Sequence, residues 1–142
     1  MERKAEARWT GDLKSGKGHL KLGSGAHHGS YTYLSRFEDE SEMNPEELLG
    51  AAHAACYSMA LAHALAQAGH PAKSVDTTAT VHLSKVGGGF SISGIDLVTR
   101  GIVPGIAAPE FLKLAEETKT GCIVSRALSA VPMTLDAQLL PG

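Results

Sequence analysis

The residue pattern predicts an α+β chain, and three observations carry that reading. Three strand-like segments follow one another before any helix. A single long apolar helix then intervenes. Two further strands, two helical stretches and a last alternating strand complete the order, without the βαβ alternation of a parallel sheet. At 142 residues the chain is long enough for one domain, 1–142, with its own core.

The N-terminal meander is read as strands over Ala5 to Lys14, Gly18 to Gly23 and Ser30 to Phe37, separated by Ser15-Gly16-Lys17 and by a turn from Gly25 to Gly29. Residues Glu38 to Glu42 form an acidic, solvated loop. Asn44 is placed to cap a helix, with Pro45 at its first position and Glu47 spaced as in a capping box. That helix is expected to run to about Ala68 and to stop at Gly69. Strict alternation from Val75 to Leu83 predicts a half-buried strand, which Gly87-Gly88-Gly89 turns into a hairpin. On the return strand the apolar parity changes between Ile92 and Ile95, and Gly94 at the change predicts a β-bulge. Pro104-Gly105 ends the strand, Pro109 begins a helix reaching Thr118, and a shorter helix runs from Cys122 to Ser129 after a break at Gly121. Val131, Met133, Leu135, Ala137 and Leu139 mark the final strand.

Composition narrows the function classes. The net charge is −2 and the 13 Lys and Arg are dispersed, so neither nucleic acid nor an anionic membrane is an expected partner. Gly87-Gly88-Gly89 lacks the spacing and the following helix of a phosphate loop. The stretch from Leu48 to Ala68 has the length of a membrane span, yet it is mostly Ala and holds His53, Ser58, His63 and Gln67. We read it as the buried helix of a soluble protein. The charged N-terminus, Met1-Glu2-Arg3-Lys4, is followed by no apolar signal segment, which points to the cytoplasm and to thiols kept reduced.

The chemistry centres on two cysteines. Cys56 lies in the apolar helix, where the common fate of a thiol is inert packing; to react it needs a cation that stabilises its thiolate. Arg36, in Ser35-Arg36-Phe37, is the best candidate, and Glu46 on the first helical turn can anchor its guanidinium. Ten residues separate Glu46 from Cys56, about 15 Å along a helix, so the two cannot meet within one straight helix. Either Arg36 spans most of that distance or the thiol comes from a second chain; we favour the second arrangement. Cys122, 66 residues further on, sits beside Gly121 with Ser125 and Arg126 nearby, and on its own is equally consistent with packing.

Three rival readings stand beside this one. His53, Cys56 and His63 fall on roughly one helix face and could hold a metal, although Cys56 and His63 are two turns apart. A Cys-His hydrolase has no evident orienting acid or oxyanion motif. A dimer that only packs, or that binds a small ligand, would leave both thiols slow.

Asn44-Pro45-Glu46-Glu47-Leu48, Gly50-Ala51-Ala52-His53-Ala54-Ala55-Cys56, Ser35-Arg36-Phe37-Glu38 and Gly121-Cys122 together resemble the OsmC/Ohr family of thiol-dependent peroxidases, most closely its OsmC branch. The likeness extends over nearly the whole chain. It implies an OsmC-like fold in an intertwined homodimer with sites at the subunit interface. It implies that Cys56 is the peroxidatic thiol, that Cys122 resolves it as a disulfide, and that Arg36 and Glu46 activate the thiolate. Organic hydroperoxides are the implied substrates and an external dithiol the reductant, with no metal or organic cofactor. Two positions depart from the family's usual residues: Ile123 stands where proline is common, and Tyr57 where phenylalanine is common.

Overall fold

The computed structural model describes residues 1–142, which form six strands and four helices. They divide into two compact units, Met1–Leu48 and Leu49–Gly142. In the first unit β1 (Ala5–Thr10), β2 (Lys17–Leu22) and β3 (His28–Tyr31) make an antiparallel sheet in chain order. Gly18 faces Tyr31 across the β2–β3 pair, and a Cβ there would fall 2.3 Å from the Tyr31 ring. The ring therefore lies over bare backbone, beside Trp9 at 5.6 Å between centroids.

The third strand is shorter than its sequence implies, because residues 33–37 are helical. Thr32 caps α1 (Tyr33–Phe37): its Oγ1 accepts from the Ser35 amide at 3.1 Å, and Ser35 Oγ accepts from the Thr32 amide at 2.9 Å. This reciprocal pair satisfies two amides that a strand reading would leave to a sheet neighbour. Arg36 thus projects from a helix, not from a strand end.

The long helix α2 (Pro45–Gln67) begins and ends as its termini dictate. Asn44 Oδ1 accepts from the Glu47 amide at 2.8 Å. At the other end Gly69 takes φ +87°, and the His70 and Gly69 amides donate to the Leu65 and Ala66 carbonyls, closing a Schellman motif. Its length and mean hydropathy of 1.3 over an 18-residue window would suit a membrane crossing. Only one stripe of it is buried within the chain: Glu46, Gly50, His53, Tyr57, Leu61 and Leu65, spaced three or four residues apart. The reading of a buried helix holds for that stripe, while Met59 on another face is 72% exposed.

In the second unit β4 (Ser74–Val86) and β5 (Gly89–Ile102) form the hairpin, turned by Gly87 and Gly88 at φ +57° and +86°, as a type I′ turn requires. His82 pairs with Gly94 and Leu83 with Ile92, leaving Ser93 as the extra residue of a bulge. Two helices, α3 (Ala108–Gly121) and α4 (Ile123–Ala127), then carry the chain to β6 (Met133–Leu140), which pairs parallel to β5. The break between them is at Cys122, whose ψ of 137° leaves the helical range; Gly121 still belongs to α3. Tyr57, Leu61 and Leu65 of α2 join Ile95, Leu97, Phe111, Ala115 and Cys122 in the core. A chain of hydroxyls from Ser58 through Thr77 to Thr99 ties α2 to β4 and β5, at 2.8 and 3.0 Å.

Candidate active site

Within the first unit, α1 and the start of α2 are stitched together by Ser35 Oγ donating to the Met43 carbonyl at 3.0 Å and Asn44 Nδ2 donating to the Ser35 carbonyl at 3.2 Å. That brings Arg36 onto Glu46. Arg36 Nε lies 3.1 and 3.3 Å from the two carboxylate oxygens, and Nη2 lies 2.8 Å from Oε1. Glu46 is buried and the Arg36 side chain is 42% exposed. A buried carboxylate held by two guanidinium nitrogens fixes the fork while its other edge faces outward.

Within the second unit the two sulfurs meet. Cys56 Sγ and Cys122 Sγ are 3.1 Å apart, both as free thiols. Cys56 reaches this point from the middle of α2. Cys122 reaches it because the α3 residues Phe111, Ala115 and Thr118 face the core and Cys122, at the cap, continues their line, and the bend at Cys122 points the amides of α4 back toward both sulfurs. The Tyr57 hydroxyl, which a phenylalanine would not carry, donates to the Ala115 carbonyl at 2.8 Å and so joins α2 to α3.

The two thiols differ in their surroundings. Burial pushes the Cys56 thiol up and its hydrogen bond with Cys122 adds to this, while the amides of Val124 and Ile123 pull it down. Burial also opposes ionisation of Cys122, but the Ser125 amide, the Cys56 thiol, the Ser125 hydroxyl and the Val124 amide outweigh it, so this thiol is held below the ordinary cysteine value. Of the two, Cys122 is therefore the thiol that gives up its proton first. None of the groups acting on Cys56 is a cation. The Ile123 amide is one donor that a proline could not supply.

Two more side chains belong to this cluster. Fully buried His53, one turn before Cys56, places Nε2 2.7 Å from Ser125 Oγ. Sequence reasoning treated His53 as a packing or metal-binding residue and Ser125 as nearby polarity; the signal was their spacing, three residues before one cysteine and three after the other. His63 is exposed, and no three His, Cys, Asp or Glu side chains converge as a metal site.

A family model described as "OsmC-like protein" matches residues 38–136. This chain belongs to the OsmC family. Among OsmC proteins it is 48% identical over 140 residues to the peroxiredoxin OsmC of Escherichia coli (strain K12), covering 98% of this chain and 97% of that one. The peroxiredoxin OsmC of Shigella flexneri matches to the same extent. The fold is shared with the organic hydroperoxide resistance protein OhrB of Bacillus subtilis, at TM-score 0.73 and 22% identity over 95% of this chain and 98% of that one. It is shared also with an OsmC-like protein of unknown function from Vibrio cholerae, at TM-score 0.76 and 15% identity over 97% and 99% of the two chains.

Proposed function

We propose that this OsmC protein is a thiol-dependent peroxidase that reduces organic hydroperoxides to alcohols, its 142 residues acting as one functional domain. The observation that carries the reading is the 3.1 Å approach of the Cys56 and Cys122 sulfurs, close enough for a disulfide to form with little movement. The Cys56 thiolate attacks the distal peroxide oxygen, the O–O bond breaks, and the alkoxide leaves as alcohol after taking a proton. The resulting sulfenic acid condenses with Cys122, releasing water, and an external dithiol returns the disulfide to two thiols.

An unassisted Cys56 is a poor nucleophile, because burial keeps it protonated. The Arg36–Glu46 pair supplies the missing positive charge, lowering the barrier to thiolate formation and stabilising charge on the departing oxygen. Its place about 15 Å back along α2 favours delivery to the Cys56 of a second subunit. A homodimer in which the uncovered apolar face of α2 meets its counterpart fits that arrangement, and a cytoplasmic setting keeps the resting thiols reduced. Stopped-flow mixing with cumene hydroperoxide, followed by thiol counting and mass mapping, tests the cycle. Rapid loss of both thiols with a Cys56–Cys122 bridge is expected; slow thiols, or bridges only between molecules, would refute it.

A further inference from the structure

The cycle just described uses two sulfurs and one ion pair, and it leaves His53 and Ser125 without a task. His53 is fully buried in an apolar helix, which is a costly place for an imidazole whose Nδ1 has no hydrogen-bond partner. Its other nitrogen makes a 2.7 Å hydrogen bond to Ser125 Oγ across 72 residues of sequence. Ser125 is itself buried, in the first turn of α4 and three residues after Cys122.

We propose that His53 is a positioning residue that acts through the Ser125 hydroxyl to hold the Cys122 sulfur aimed at Cys56. This rests on Cys122 being the resolving thiol. The direction of the hydrogen bonds follows from the unpartnered nitrogen. A buried N–H without an acceptor is rarer than an idle lone pair, so Nδ1 carries the lone pair and Nε2 carries the proton. Nε2–H then donates to Ser125 Oγ. The Ser125 proton, excluded from that contact, is directed to the Cys122 sulfur. Burial keeps the imidazole neutral, so the chain orders the anion without adding a charge.

In the resolving step the Cys122 thiolate attacks the sulfur of the Cys56 sulfenic acid. The S–S bond forms with an electron pair from Cys122, the S–O bond breaks, and the hydroxide leaves as water with the proton Cys122 gave up on ionising. No other oxidant or reductant enters. A thiolate held ready speeds this step.

Reduced protein is mixed with cumene hydroperoxide, quenched in acid at intervals, and resolved by mass into sulfenic acid and disulfide. In Ser125→Ala the sulfenic acid is expected to accumulate, while disulfide formation slows about tenfold or more, by a larger factor than sulfenic acid formation changes. Ser125→Thr, which keeps the hydroxyl, restores the second phase. His53→Gln, which keeps a donor, resolves faster than His53→Leu. In a Cys56→Ser background, the pH profile for alkylation of Cys122 shifts upward with Ser125→Ala. Disulfide formation at the parent rate in Ser125→Ala, or equal slowing of both phases, would overturn the inference. Failure of the parent protein to form either species is a separate outcome that overturns the peroxidase reading and this one with it.

Discussion

Cys56 is a thiol that burial pushes toward its protonated form, and the side chains proposed to change that are individually testable. Replacing Arg36 by Lys keeps a charge but loses the fork that grips both Glu46 oxygens. A fall of about a hundredfold in kcat/KM for an organic hydroperoxide is expected, with Glu46→Gln similar. Ile123 offers a subtler case. Its amide helps to stabilise the Cys56 anion, and it opens α4, where proline is conformationally acceptable. Ile123→Pro should therefore leave the melting temperature nearly unchanged while the pH profile of Cys56 alkylation, read in a Cys122→Ser background, moves up. His53 gives stability a pH dependence. Its folded-state pKa lies below the unfolded value of 6.5 because burial disfavours the cation, so the unfolded chain takes up a proton first as the solution is acidified. Its contribution is present above that value and lost as pH falls below it. The urea midpoint should drop on acidification less steeply in His53→Gln than in the parent, a comparison made by denaturation at several pH values.

Elements set these residues in place through their ends and contact faces. The five residues of α1 depend on Thr32, whose loss to Ala removes the cap and costs about 0.5–2 kcal/mol of local stability. Because Arg36 rides on α1, Thr32→Ala is expected to lower peroxidase kcat/KM without any change at the cysteines. The β5–α3 contact is tight at Gly101, where a Cβ would fall 2.6 Å from the Phe111 ring. Gly101→Ala should destabilise by about 1–3 kcal/mol through overpacking, seen as a lower urea midpoint. The elements were unequally legible. Asn44, Pro45 and Gly69 mark both ends of α2, and the parity change beside Gly94 marks the bulge. A five-residue helix is too short to show a period, and apolar Tyr31, Tyr33, Leu34 and Phe37 read as strand; the Thr32–Ser35 pair was the one available sign of α1.

At the scale of the whole molecule, exchange of subunits tests whose cation serves whose sulfur. The uncovered face of α2 and the distance along it favour an exchange between two subunits. Mixing Cys56→Ser with Glu46→Ala protein then yields mixed dimers in which one of the two sites is complete. Half the dimers at equal proportions are mixed, so about a quarter of the parent activity should return on subunit exchange. No recovery, with mixed dimers verified by mass, would place each site within one chain.

Residue types and spacings by themselves determined the α+β order, the ends of the central helix, and the two cysteines with their Arg36 and Glu46 candidates. These are local properties, written in caps, periods and short motifs. Tertiary structure alone decided that sulfurs 66 residues apart lie 3.1 Å from one another, that Arg36 closes on Glu46 from a helix, and that His53 reaches Ser125. Such contacts arise from how the elements pack, and packing joins residues whose separation along the chain carries no trace of their meeting.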